Sequence, residues 1–112
     1  MDCGVAVNPN IIEMQMESGI GYGLSAALNG AITLKDGVVE QSNFHDYPVL
    51  RGNETPKITT KVIVTNNKPG GVGEVGLPPV APAVANAVFK LTGKRLRKLP
   101  MSPARVVETL KA

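Results

Sequence analysis

A single carboxylate, Glu74, lies inside a glycine-rich stretch that reads Gly-Gly-Val-Gly-Glu-Val-Gly over residues 70–76. Glycine has no Cβ, so such a stretch can bend sharply and approach a partner closely. A proline-rich segment and an alanine-rich helix are expected to follow, and a carboxylate just before a helix meets the positive end of its dipole. The pattern therefore predicts a loop that either presents Glu74 to a ligand or uses it to brace the turn and cap the helix.

Residues 71–76 also match the G-x-G-x-x-G pattern of dinucleotide-binding loops. Glu74 would then repel the pyrophosphate, which such loops bind at the helix start. Pro78, Pro79 and Pro82 remove backbone N–H donors that this site needs, and no acidic residue follows about twenty positions on to bind a ribose. A P-loop is excluded as well, because no Gly-Lys-Ser/Thr follows the glycines.

Three other candidates have structural explanations. The basic run 94–98 alternates with leucines, as on the solvent face of an edge strand, and this disfavours a nucleic-acid partner. His45 beside Asp46 resembles half of a catalytic pair, but no serine or cysteine has nucleophile context, so a structural histidine hydrogen-bonded in a loop is expected. Cys3 is the only cysteine and predicts a spare, semi-exposed thiol, with no disulfide and no cysteine–histidine metal site.

Three helices are expected to position these residues. Asn8-Pro9 is typical of a helix start, and Asn29-Gly30 ends a helix predicted from residue 9 to about residue 28. Shorter helices are predicted over 81–91, closed by Gly93, and after Ser102-Pro103. Their apolar faces are formed by Ile12, Met16, Ile20, Leu24 and Ala27 in the first helix, Val84, Val88 and Leu91 in the second, and Val106, Val107 and Leu110 in the third.

The first helix contains Gly19, Gly21 and Gly23, and each interior glycine costs about 0.5 to 1 kcal/mol relative to alanine. Two explanations are open. Another backbone packs against the helix at these glycines, or a ligand lies on the face that carries Gln15, Gly19 and Tyr22.

The β structure is predicted from turn chemistry and β-branched runs. Asp36-Gly37 between 31–35 and 38–41 favours a hairpin with a type I′ turn. Residues 44–50 are expected to be extended, 51–56 to be an exposed loop, and 57–65 and 95–99 to be strands. Together these elements predict an α+β fold, with three helices packed on a small mixed β-sheet in one domain over residues 1–112.

The charge and hydropathy of the chain limit the classes of partner that are expected. Lysine and arginine number 12 against 9 acidic residues, and the net charge of +3 is spread along the chain, which does not imply a polyanionic partner. No apolar run approaches the roughly 18 residues that suggest a spanning helix, and no secretory leader pattern stands at the amino terminus. A soluble protein without membrane or nucleic-acid partners is therefore expected.

Residues 69–89 and 92–100 resemble a molybdenum hydroxylase large subunit of the xanthine oxidase superfamily, in its carboxyl-terminal part, and especially the isoquinoline 1-oxidoreductase beta-subunit branch. The segments 2–9, 15–19 and 41–48 continue the match in the same order. The resemblance implies that the chain is a carboxyl-terminal fragment of a molybdopterin-binding domain, from the bacterial cytoplasm or periplasm. Val75 departs from the family pattern, where proline is common after the glutamate.

The resemblance also implies site residues. Glu74 follows Val-Gly, as does the family's catalytic glutamate, and would be the general base of an oxidoreductase that hydroxylates an N-heterocycle or oxidises an aldehyde with water. Gln15 falls where the family's glutamine contacts molybdopterin, and Gly73 belongs to the same cofactor-binding surface. No residue of the chain is expected to ligate the metal.

Family catalytic subunits are several times longer than this chain. The resemblance therefore implies two protein partners, the remainder of the molybdopterin subunit and an iron–sulfur small subunit. The molybdenum cofactor, in its cytosine dinucleotide form, is expected in the complete enzyme and not on this fragment, which alone should be inactive. The alternative is a free-standing, non-catalytic interaction or assembly module that retains the fold.

Overall fold

Three helices and one small hairpin make up the computed structural model, which describes residues 1–111. The α+β class and the three predicted helices are confirmed, while the sheet is limited to two antiparallel strands. In chain order the elements are α1 (Pro9–Asn29), β1 (Leu34–Lys35), β2 (Val38–Val39), a 3₁₀ turn (Gly52–Glu54), α2 (Val80–Thr92) and α3 (Pro103–Lys111).

Helix α1 begins and ends where the sequence predicts. The Asn8 side chain accepts a hydrogen bond from the Ile11 N–H at 3.2 Å, and Pro9 occupies the first helical position. At the other end the Gly30 N–H donates to the Ala26 carbonyl at 3.0 Å. Local capping chemistry therefore fixes both ends of the longest element.

The buried line of α1 runs through its glycines. Ile12 and Ala27 are buried as predicted, but between them the buried residues are Gly19 and Gly23. The apolar residues Met16, Ile20 and Leu24 are only half-buried. The face that packs most closely is thus rotated from the predicted apolar stripe towards the small residues.

Backbone packing explains two of the three glycines. A Cβ on Gly19 would lie 3.4 Å from the Gly76 Cα, and a Cβ on Gly23 would lie 2.8 Å from the Leu77 carbonyl oxygen. Distances below 3.0 Å are essentially never seen, so alanine does not fit at position 23 without movement of the backbone. A Cβ on Gly21 would meet nothing within 4 Å.

Helix α2 ends, and helix α3 begins, at the predicted residues. Gly93 ends α2 in the left-handed conformation, with φ of 70°. Leu91 was expected on the apolar face but is 85% exposed, so that expectation is wrong. Ser102 precedes α3, and the buried Met101 attaches this region to α1 through an N–H bond of 2.7 Å to the Ala27 carbonyl.

The hairpin is confirmed, although its strands are short. Asp36 and Gly37 both have positive φ, 51° and 79°, as a type I′ turn requires. Leu34 pairs with Val39 and Lys35 with Val38. All four side chains are exposed, so the hairpin adds no core to the domain.

Three predicted extended segments are wrong as regular strands. Residues 57–65 form no ladder, because their only strand-like contact in residues 1–111 is an isolated parallel bridge between Asp2 and Ile63. Residues 95–99 have no neighbouring strand, and residues 44–46 form a turn. A strand needs a partner strand, which β propensity alone cannot supply.

The Cys3 prediction is also wrong, because the residue is buried rather than semi-exposed.

The molecule is less compact than a typical domain of the same length. The Cα radius of gyration is 17.1 Å, whereas a compact domain of this size has about 13 Å. Its accessible surface is 8122 Å², against about 5,900 Å² for a compact monomer of the same mass. No helix within residues 1–111 combines the length and apolar character needed to cross a membrane.

Candidate functional site

The glycine-rich loop crosses α1 and is anchored on both sides of Glu74. Upstream, the Gly70 N–H donates to the Cys3 carbonyl at 2.8 Å. Downstream, Gly76 is buried against α1, where a Cβ would lie 3.0 Å from the Met16 carbonyl oxygen. The loop is therefore held by main-chain contacts, and these contacts limit where Glu74 can be.

Glu74 does not brace the loop with its carboxylate. The turn is closed by its backbone carbonyl, which accepts from the Leu77 N–H at 2.8 Å. Glu74 is exposed, and among residues 1–111 its side chain forms neither a hydrogen bond nor an ion pair. The N-cap position of α2 is Pro79, so Glu74 is not the helix cap either. The bracing and capping explanation that the sequence left open therefore disagrees with this geometry.

Gln15 lies beside the same loop. Its Oε1 atom is 3.8 Å from the position that a Cβ would occupy on Gly73, the residue directly before Glu74. Gln15 is exposed, and its amide has no hydrogen bond within the described part of the chain. The structure thus brings the three predicted site residues, Gln15, Gly73 and Glu74, to one surface.

The predicted ligand face of α1 needs one correction. Gly19 is buried beneath Gly76 and does not face a ligand, whereas Gln15 and Tyr22 on the same face are exposed. Beyond Gly19 this side opens into a cleft of about 350 Å³, and Gly21 borders it. The cleft is lined by Ser18, Gly21, Tyr22, Ser25, Phe44, Val49, Leu50 and Thr55. Tyr22 directly after Gly21 inside a helix is the sequence feature that could have indicated it.

The site residues fit a large polar cofactor on one side only. The Gln15 carboxamide offers both a donor and an acceptor, and Gly71 has open space where a side chain would be. Glu74 adds a carboxylate within the same loop. These groups form a wall rather than an enclosure.

In the His45–Asp46 pair the hydrogen bonds that hold the loop are formed by Asp46 rather than by the predicted His45. The Asp46 carboxylate accepts from the Asn43 N–H at 2.9 Å and from the Ser42 N–H at 2.9 and 3.0 Å, and these bonds hold its pKa below the usual range. The His45 Nε2 atom lies 3.5 Å from the same carboxylate. The pair therefore stabilises a turn on the surface.

The basic run 94–98 is packed in part against neighbouring residues. The Arg95 guanidinium lies 3.8 Å from the centre of the Phe89 ring, a cation–π contact. Leu96 is buried between its charged neighbours.

Within residues 1–111 no three His, Cys, Asp or Glu side chains gather as a metal site.

Comparison with known proteins identifies the family. The model of the molybdopterin cofactor-binding domain matches residues 1–56, which is half of the chain and includes α1 with Gln15. This chain belongs to the molybdopterin cofactor-binding domain family. The resemblance predicted from the sequence segments is thereby confirmed, within the xanthine oxidase family.

Named relatives of this molybdopterin cofactor-binding domain are oxidoreductases or their subunits. Isoquinoline 1-oxidoreductase subunit beta of Brevundimonas diminuta is 44% identical over 104 residues, or 93% of this chain and 13% of that protein. The membrane-bound aldehyde dehydrogenase (pyrroloquinoline-quinone) of Gluconacetobacter polyoxogenes is 34% identical over 98% of this chain and 14% of its own length. A chain of the Cu,Mo-containing CO dehydrogenase has a TM-score of 0.83 and 28% identity, covering 98% of this chain and 15% of that one. The domain therefore spans about one seventh of these relatives.

Proposed function

We propose that this domain is part of the large subunit of a molybdenum hydroxylase and that Glu74 is its general base. The observation that supports this role is the position of Gln15 beside Gly73, next to a Glu74 carboxylate that has no partner among residues 1–111. The relatives carry isoquinoline and aldehyde in their names, so an N-heterocycle or an aldehyde is the proposed substrate.

Gln15 and Gly73 form the proposed cofactor contact. The cofactor is molybdopterin, proposed in its cytosine dinucleotide form, and when bound it supplies the two-electron redox chemistry. The Gln15 carboxamide can donate to one polar atom of such a ligand and accept from another. Gly73 leaves the space beside Oε1 free of a side chain.

Glu74 is proposed to accept the proton released when oxygen from water is added to the substrate carbon. A general base must lie within hydrogen-bond distance of the proton it accepts, and it must be held in that position. The loop anchors at Gly70 and Gly76 provide that fixed position. Because Glu74 forms no bond within the described chain, no internal contact has to break before it acts.

Two protein partners follow from this proposal. The remainder of the large subunit would enclose the cofactor, since the domain covers only one side of it. An iron–sulfur small subunit would carry the electrons away. Large unpaired surfaces on this domain, reflected in its 8122 Å² of accessible area, suit such partners.

The decisive experiment is Glu74→Gln in the complete enzyme, with turnover and molybdenum content measured together. The substitution keeps the shape of the side chain and removes its basicity, so turnover should fall by on the order of 10² to 10⁴ while molybdenum content stays unchanged. Glu108→Gln, an exposed carboxylate on α3, is the control with the same charge change.

Near-normal turnover of the Glu74→Gln enzyme would refute the role of base. Absence of molybdenum from the wild-type protein, purified together with its subunits, would instead favour the alternative of a non-catalytic assembly module. Gln15→Ala tests the cofactor contact separately, because it should lower cofactor retention without changing the chemistry at Glu74.

A further inference from the structure

The segment 57–65 has one paired edge and one open edge. On the paired side, the Ile63 N–H donates to the Met1 carbonyl at 2.8 Å, and the Met1 amino group donates to the Lys61 carbonyl at 2.6 Å. Thr65 continues this side with an N–H bond of 3.5 Å to the Gly4 carbonyl. The first residues of the chain therefore cover the edge formed by positions 61, 63 and 65.

The backbone groups of the alternate residues point the other way. In an extended chain the N–H and C=O of one residue point to the same side, and those of the next residue to the opposite side. Thr60, Val62 and Val64 consequently direct their main-chain groups away from Met1. Among residues 1–111 none of the three forms a backbone hydrogen bond.

The side chains of this segment are not typical of a solvent-exposed strand edge. Ile63 is 53% exposed and Val64 is 67% exposed, and as neighbours in an extended chain they project from opposite faces. Proteins protect free edges with charges, prolines or bulges. Between residues 58 and 64 the only such device is Lys61, and most other residues are β-branched.

We propose that the edge formed by Thr60, Val62 and Val64 is the docking site for an extended strand from the remainder of the large subunit. The inference depends on the proposed function in one respect, namely that this domain belongs to a larger polypeptide. Each of the three residues offers one donor and one acceptor, so a partner strand can form a continuous ladder along them.

The exposed side chains favour the remainder of the subunit over a second copy of this chain. A second copy that paired along the edge would satisfy the backbone groups but would leave Ile63 and Val64 bare on the two faces. A sheet inside a larger body covers the edge and both faces together. The domain spans only 13% of the Brevundimonas diminuta relative, so ample polypeptide is available in a subunit of that length.

The test is residue-resolved hydrogen exchange of the complete large subunit and of the 112-residue chain. In the complete subunit the amides of Thr60, Val62 and Val64 should be protected to a degree similar to that of Ile63. In the chain alone they should exchange at least about tenfold faster than in the subunit. The Glu74→Gln subunit is the control and should show the wild-type protection.

Two results would overturn the proposal. Free exchange of Val62 and Val64 in the complete subunit would show that no strand pairs with this edge. Protection in the chain alone that rises with protein concentration would identify a second copy as the occupant. Neither result depends on turnover, so a failure here is distinguishable from a failure of the role proposed for Glu74.

Discussion

At the scale of single residues, Asp46 and Glu74 show two uses of an exposed carboxylate. Asp46 accepts N–H bonds from Asn43 and Ser42, and its pKa is lowered because these bonds stabilise the charged form. A group whose pKa is lower in the folded state stabilises the fold above its unfolded pKa, and this contribution is lost as pH falls through the folded pKa. The turn at residues 42–46 should therefore loosen on acidification.

We expect the amide resonances of Ser42 and Asn43 to titrate together in NMR spectra, with a midpoint below the usual aspartate value of about 3.9. Asp46→Asn should abolish this transition, because the charge is removed while the shape of the side chain is kept. A midpoint at or above the usual value would contradict the bonding of the carboxylate to the two amides.

The sequence located Glu74 but did not decide what its carboxylate does. Glycines on both sides indicated a bend, and bracing and presentation remained equally compatible with that pattern. The difference lies in the Leu77 N–H, which bonds to the main-chain carbonyl of Glu74 rather than to its carboxylate. The sequence pattern of glycines around one glutamate does not indicate which of the two acceptors this local turn uses.

At the scale of elements, the crossing of α1 by the glycine loop is the central contact. We predict opposite effects for two alanine substitutions two positions apart. Gly23→Ala should destabilise the domain by about 1 to 3 kcal/mol, because its Cβ would lie 2.8 Å from both the Leu77 carbonyl oxygen and the Val80 Cγ2 atom. Gly21→Ala should stabilise it by about 0.5 to 1 kcal/mol, because its Cβ has free space and alanine favours the helix.

Denaturant unfolding of the two variants beside the wild-type domain checks this prediction, with the free energy of unfolding as the quantity compared. Destabilisation of equal size at both positions would show that the loop does not rest on the Gly23 side of α1.

Elements with local determinants were predictable, and those that need a distant partner were not. The ends of α1 and the turn at Asp36-Gly37 follow from residues within four positions, and both agree with the structure. The run 57–65 has strong β propensity, but a ladder requires a second strand, and within residues 1–111 only the first four residues lie beside it. The same reason accounts for the missing strand at 95–99.

At the scale of the whole molecule, the main property of the domain is its low compactness. The buried apolar side chains are few: Cys3, Ile12, Ala27, Val80, Leu96 and Met101. The sequence is nevertheless 43% hydrophobic. Composition does not distinguish residues that pack on each other from residues that pack on another polypeptide, and this is why the low compactness was not predictable.

We expect small-angle X-ray scattering of the monomeric domain to give a radius of gyration near the 17.1 Å of the structure. A hydrophobic dye should bind to it strongly, because many large apolar side chains are exposed, and this binding should disappear in the complete subunit. A radius of about 13 Å would mean that the free domain rearranges into a compact form.

Gly19 and Gly76 touch through their main chains, and this contact joins parts of the molecule that are far apart in sequence. A side chain can relieve a close contact by changing its rotamer, but two backbones in contact cannot do so without moving the chain. A methyl group added at Gly76 would lie 3.0 Å from the Met16 carbonyl oxygen, so it would push the loop away from α1 and lengthen the separation of Gln15 and Glu74. Under the role proposed for Glu74, the Gly76→Ala enzyme would keep every reactive group and still turn over more slowly.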